Sequence, residues 1–382
     1  MSSFLIPHQI SLIAFLGLLL LIALSNLRFL RRLEDYQYLS AYPRVSILLP
    51  ARNEESTISD CVRSLLSQKY PNFRVLVLDD DSSDRTWQIL ETLATEDNRL
   101  HIIKGKPLPP GWLGKHWACH QLAQAADGEL LLFTDADTYH QPDTLSRSVA
   151  ALLAEKADLI SAFPEEKAVS WPEKLIIPVI LWSVFSFLPL GLAYHLRTPF
   201  LSATMGQMML FRRQAYEQIG GYASVRQQAT DDLALGRRIK AHGLCWRLLD
   251  GRRHIQCRMY RNFNEIYEGL GKNLFALFEY NVPIFVFIWV WLLIAFWEPI
   301  VILALGISQP YISGLSMILA TGAVATSLLL WGISYHRFGF PWYLVLFYPI
   351  SILLMVAIAM SSMVLTLTSR ARWKGRTILK SK

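Results

Sequence analysis

Leu130-Leu131-Leu132-Phe133-Thr134-Asp135-Ala136-Asp137 decides the fold: a short apolar run passes directly into two aspartates separated by one alanine. A run of this length, apolar on both faces, reads as a buried strand. A second run of the same design, Arg74-Val75-Leu76-Val77-Leu78, ends in Asp79-Asp80-Asp81. Carboxylates placed this way emerge together at strand C-terminal ends, where open α/β sheets bind ligands. Crowded carboxylates repel one another and lose hydration, so a divalent cation or a polar ligand is the natural compensation. A hard ion such as Mg2+ or Mn2+ fits, commonly arriving with phosphates.

Outward from these runs the pattern alternates. Strands are predicted at 45–49, 74–78, 100–103, 130–134 and 158–163, and helices at 54–68, 83–95, 115–126 and 142–154. Such alternation specifies an α/β domain with a mixed, mostly parallel sheet. Its predicted extent is 43–261, and a third acidic cluster, Asp231-Asp232, lies near its end.

The flanks are of a different nature. With 53% apolar residues among 382, the chain is too apolar for an ordinary soluble domain. Residues 10–27 carry no charge and are followed by Arg28, Arg31 and Arg32. They read as an uncleaved membrane anchor within 1–33, with the next domain on the cytoplasmic side. Three further apolar spans lie within 282–367, and a basic tail over 368–382 is expected on the cytoplasmic side. The net charge of +7 comes largely from these flanks, which points to a membrane surface rather than nucleic acid. Three full crossings would put the tail outside, so one closing span is expected not to cross, the first being the candidate because Glu298 and Pro299 interrupt it. Residues 171–194, apolar nearly all round, suit an interfacial hairpin or a buried core helix, and 262–280 suits an amphipathic surface helix. The four cysteines share no metal-type spacing.

Several short motifs carry chemistry. Pro50-Ala51-Arg52-Asn53-Glu54 and the Asp79-Asp80 turn are expected to line one crevice, with carboxylates that accept from ribose hydroxyls or a base N–H; Ser82 or Ser83 could cap the next helix. Gly111-Trp112-Leu113-Gly114-Lys115 opens a helix, placing a cation where phosphate is recognised. It is not a Walker A loop. His116 and His120 are four apart, but no third zinc ligand accompanies them.

Taken in order, these motifs with Gly220-Gly221-Tyr222 and Thr230-Asp231-Asp232 resemble family 2 glycosyltransferases of GT-A fold. Gly111 to Lys115, Thr204-Met205-Gly206-Gln207 and the closing helices look most like the membrane-bound carotenoid- and hopanoid-associated branch with its ceramide-glucosyltransferase-like relatives. The resemblance implies a metal-dependent, inverting hexosyl transfer from a nucleotide-sugar, a UDP-hexose being the expected donor, to the hydroxyl of a lipophilic acceptor at the cell membrane. It implies that Asp79 and Asp80 contact the nucleoside, that Asp137 binds the metal and Asp135 the metal or ribose, and that Asp232 is the general base with Asp231 beside it. Pro50, Arg52, Glu54 and Lys115 are implied on the donor side, and Gly206 and Gln207 on the acceptor side. The family's QxxRW-type motif appears as Arg258-Met259-Tyr260-Arg261-Asn262, with both arginines in place to brace a diphosphate and no tryptophan. That departure argues against processive synthesis. Asp81 stands where glycine is usual. The rival readings are a membrane polysaccharide synthase and a non-catalytic membrane scaffold.

Overall fold

The computed structural model describes residues 2–36, 42–307, 313–368, 372–373 and 376–377. The elements run α1 (Ser2–Phe29), β1 (Val45–Ala51), α2 (Ile58–Leu66), β2 (Phe73–Asp79), α3 (Thr86–Glu96), β3 (Leu100–Lys104), α4 (Gly114–Ala125), β4 (Leu130–Phe133), β5 (Thr138–His140), α5 (Thr144–Ala154), β6 (Leu159–Phe163) and β7 (Glu165–Glu166). They continue with α6 (Trp171–Phe187), α7 (Leu190–His195), β8 (Met209–Arg212), α8 (Arg213–Gln218), α9 (Asp231–Ala241), β9 (Trp246–Asp250), β10 (Ile255–Cys257), α10 (Phe263–Asn273), α11 (Val282–Gly306), α12 (Gly314–Phe338) and α13 (Tyr348–Leu367). The chain divides into an α/β unit, residues 30–167 and 190–259, and a helical unit, residues 1–29, 168–189 and 260–382.

In the α/β unit seven strands form one sheet in the order β3-β2-β1-β4-β8-β6-β9. The pairs β3–β2, β2–β1, β1–β4 and β6–β9 are parallel, and β8 runs antiparallel to both β4 and β6. The mixed, mostly parallel sheet is as expected, and the first five predicted strands lie within a residue or two of their observed positions. Val45, Ile47, Leu49, Val75, Val77, Leu130 and Leu132 lie in one buried cluster with Ile58, Val62, Leu65, Leu90 and Val149 from the covering helices. Strands β5, β7, β8, β9 and β10 were not foreseen. A smaller sheet, β5-β10-β7, runs antiparallel on one side and parallel on the other.

In the helical unit, four helices are long and apolar enough to cross a membrane among the described residues: Leu5–Phe29, Val282–Gly306, Gly314–Phe338 and Trp342–Leu367. The break expected at Glu298 and Pro299 is absent. α11 runs through both residues, and the Glu298 carboxylate meets His8 Nε2 of α1 at 2.8 Å. An internal proline costs one backbone hydrogen bond, which the helix tolerates here.

The 171–194 stretch forms two helices, α6 and α7. α6 packs against α1, α12 and α13, with Trp182 stacked on Trp331 at 4.4 Å, while α7 belongs to the α/β unit. Asn26 of α1 donates to the carbonyls of Phe185 and Leu188, satisfying the end of α6. α10 likewise packs on α13, burying Ile266 and Leu270. Apart from 372–373 and 376–377, the basic tail from 369 onward lies outside the described residues, as does the start of the second closing span at 311–312.

Candidate active site

The strand ends of the α/β unit deliver their polar turns to one edge. β1 ends at Ala51 and β2 at Asp79, paired in register, and the Asp80 N–H donates to the Ala51 carbonyl at 2.8 Å. Two left-handed residues, Asn53 at φ 53° and Asp81 at φ 60°, then fold the turns against each other. Asp81 thus takes the conformation for which glycine is the usual residue, one that aspartate adopts more readily than most. The Asn53 N–H donates to Ser82 Oγ at 3.0 Å, and the Ser83 N–H donates to Asn53 Oδ1 at 2.8 Å. Ser82 and Ser83 therefore stitch the two turns together, and Asp84 Oδ1 accepts from the Thr86 N–H at the start of α3. Arg52 Nη1 lies 3.7 Å from Asp80 Oδ2. Asp79 and Asp80 are 6% and 7% exposed, and Asp79 Oδ1 has no hydrogen-bond partner. A buried, unsatisfied carboxylate oxygen is suited to accept from a ligand N–H or O–H.

The second half of the site gathers around Gly206. A Cβ on this glycine would stand 3.5 Å from Asp135 Oδ2, 3.6 Å from Lys115 Nζ and 3.8 Å from Asp232 Oδ2. Residues from four distant turns therefore meet at one point. Lys115, in the first turn of α4, pairs with Asp135 Oδ1 at 2.7 Å. Asp231 and Asp232 open α9, where the helix dipole favours negative charge. His116 Nε2 lies 3.7 Å from Asp231 Oδ1, and its ring packs at 5.8 Å on Tyr222. The glycines preceding Tyr222, both at positive φ, form the turn that lets it reach this position; a Cβ on Gly221 would overlap the Tyr216 ring.

Burial, reinforced by Asp231, pushes the Asp232 carboxyl up to about 7. Burial followed by Asp135 and Glu54 raises Asp137 in the same direction, and Asp137 Oδ1 has no hydrogen-bond partner. Among the described residues no three His, Cys, Asp or Glu side chains gather as a metal-ligand set. Two neighbouring carboxylates with one unsatisfied oxygen still fit Mg2+ or Mn2+, because these ions keep water and phosphate oxygens as further ligands.

Pro50 is the next-to-last residue of β1, and Glu54 accepts from Thr57 Oγ1 at 3.2 Å while facing Asp137 electrostatically. Arg258 lies just past β10 in the α/β unit, whereas Arg261 belongs to the helical unit, its N–H donating to Glu265. His120 packs on Trp112 and Trp117 instead of joining His116 at a metal. Gln207 is buried and reaches Glu166 at 3.5 Å. Glu166 was not foreseen: burial and the nearby Asp137 push its carboxyl up to about 8. Its two-residue strand gives no periodicity by which a sequence reading could single it out.

Residues 46–220 match the sequence profile described as Glycosyl transferase family 2. The domain belongs to this family. Beta-monoglucosyldiacylglycerol synthase of Trichormus variabilis is 32% identical over 204 residues, 52% of this chain and 41% of that protein. The 4,4'-diaponeurosporenoate glycosyltransferase of Staphylococcus aureus is 28% identical over 240 residues, 60% of each chain. The chain thus spans less than two thirds of either relative. In fold, this chain is similar to a Pyrobaculum calidifontis mannosyltransferase solved with GDP-Man and Mn2+, at TM-score 0.54 and 17% identity over 95% of this chain and 99% of that one. The family 2 domain therefore has the GT-A fold expected from its motifs.

Proposed function

We propose that this protein transfers a hexosyl group from a nucleoside-diphosphate sugar, a UDP-hexose by preference, to the hydroxyl of a membrane lipid, with inversion at the anomeric carbon. The observation that carries the reading is the meeting of Asp135, Lys115 and Asp232 around Gly206. A donor-side carboxylate and a candidate base on one small space are what a single displacement requires.

In this account Asp79 and Asp80 accept hydrogen bonds from the nucleoside, and Arg52 steadies Asp80. Lys115 releases Asp135 and turns to the diphosphate. Asp137 and Asp135 would hold Mg2+ or Mn2+, which supplies positive charge to the departing diphosphate. Asp232 takes the proton of the acceptor hydroxyl as its oxygen bonds to the anomeric carbon. The bond from that carbon to the diphosphate oxygen breaks in the same step, and the nucleoside diphosphate leaves with the bonding pair. A base raised from the ordinary carboxylate range is better matched to this task near neutral pH.

The lipid acceptor is supported by the names of the two relatives and by the four candidate spans. Arg28, Arg31 and Arg32 support a cytoplasmic catalytic domain in the cell membrane. The test is incubation of the full-length protein in lipid vesicles with labelled UDP-hexose and Mn2+, followed by mass analysis of the extracted lipids. One or a few hexoses added to a lipid is the expected product; a long ladder of sugars would favour a polysaccharide synthase.

A further inference from the structure

Beneath the Asp135–Asp137 turn lies a closed set of buried polar groups that the proposed reaction does not use directly. Thr134, Thr138 and His140 are 1%, 3% and 1% exposed. Thr134 Oγ1 donates to the Gln207 carbonyl at 2.8 Å, and Thr138 Oγ1 donates to the Asp135 carbonyl at 2.7 Å. The two hydroxyl oxygens stand 3.0 Å apart, and His140 Nε2 lies 3.0 Å from the first and 3.2 Å from the second.

Counting protons assigns the donors. Each threonine hydroxyl has one hydrogen and makes its shortest contact in the set with a carbonyl, which has none, so each proton is assigned to its carbonyl. Neither oxygen can then donate to the other. Cys61 Sγ is a weak donor 3.6 Å from the Asp135 carbonyl and 3.9 Å from Thr138 Oγ1; the nitrogen donor to the pair is His140 Nε2–H, shared between both oxygens, and the ring is neutral because burial lowers it to about 4. The carbonyls at the two ends belong to the turns that carry Asp135 and Gly206-Gln207, the donor and acceptor halves of the site.

We infer that His140 is a positioning residue whose Nε2–H fixes both hydroxyls and so locks the Asp135–Asp137 turn to the Gly206–Gln207 turn. Without that hydrogen, two oxygens face each other and the Thr134 hydroxyl rotates toward Thr138, releasing the Gln207 carbonyl, while the Asp135 carbonyl still accepts from the Thr138 N–H at 3.3 Å. The gap between Asp135 and Asp232 then loosens. The inference rests on the glycosyltransferase reading only for its kinetic consequence.

The experiment compares His140→Gln with His140→Asn in the full-length protein in lipid nanodiscs. The glutamine amide nitrogen can occupy the position of Nε2, whereas that of asparagine falls at Nδ1. Amide hydrogen exchange over residues 133–140 and 204–208 is expected to rise roughly tenfold in both segments for His140→Asn and to stay near wild type for His140→Gln. The kcat/KM for the nucleotide-sugar falls at least about tenfold in the first variant and is largely restored in the second. Equal behaviour of the two variants, or loosening of one segment only, overturns the inference. If the wild type transfers no sugar, the functional reading fails and the exchange data still decide the lock. Should His140→Asn not fold, Thr134→Val must loosen 204–208 and Thr134→Ser must not; identical exchange in these two overturns it.

Discussion

Asp135 and Asp232 flank the same glycine: a Cβ on Gly206 would come within 3.5 Å of one carboxylate and 3.8 Å of the other. These distances are ordinary van der Waals contacts, and Gly206 has no positive φ. Gly206→Ala is therefore expected to fold normally while intruding on the space between donor and acceptor. Steady-state kinetics should show a lowered kcat or a raised acceptor KM, and a larger loss for Gly206→Val. Unchanged kinetics in Gly206→Val would remove this point from the reaction path.

The pH dependence follows from Asp232. Its carboxyl must be ionised to accept a proton, and it is pushed up to about 7 by burial and Asp231. The kcat/KM should fall as pH drops below that value and level off above it. Asp231→Asn removes the like charge, so the midpoint of the rise should move to lower pH. A profile flat from pH 5 to 8 would contradict this assignment.

Metal dependence follows from the Asp135–Asp137 turn. Chelation should lower transfer by orders of magnitude, with recovery on adding Mg2+ or Mn2+. Asp137→Asn should raise the metal concentration needed for half-maximal rate. Lys115→Met leaves Asp135 without its 2.7 Å partner, so donor KM should rise about tenfold or more through loss of a phosphate-facing cation.

A stability prediction concerns the helical unit. His8 and Glu298 meet at 2.8 Å between α1 and α11. Glu298→Leu breaks this polar contact and should lower stability by about 1 kcal/mol, read as a lower Tm in detergent, while Glu298→Gln retains a hydrogen-bonding partner and should change it little. Equal Tm shifts for the two variants would show that the contact contributes nothing specific.

The parallel run β3-β2-β1-β4 was legible because its strands are short, rich in apolar residues and punctuated by charged turns. Strands β8 to β10 were hidden: Met209–Arg212 and Trp246–Asp250 are short and flanked by helices without a period of their own. The acidic clusters were legible because aspartates directly after buried strands have few structural reasons to be there. His140 and Glu166 were not, since their significance arises from partners such as Thr134 and Gln207 that meet them only in the folded chain. The continuity of α11 across Glu298 was missed for the same reason: its partner His8 lies at the other end of the sequence.

Transfer of labelled hexose from UDP-hexose into extractable lipid by the full-length protein, wild type against Asp232→Asn, bears most directly on the proposed chemistry. Label should enter the lipid fraction with the wild type and fall by about 100-fold or more with Asp232→Asn, while nucleotide-sugar binding persists. Undiminished transfer by Asp232→Asn would contradict the assignment of the base and of the site built around it.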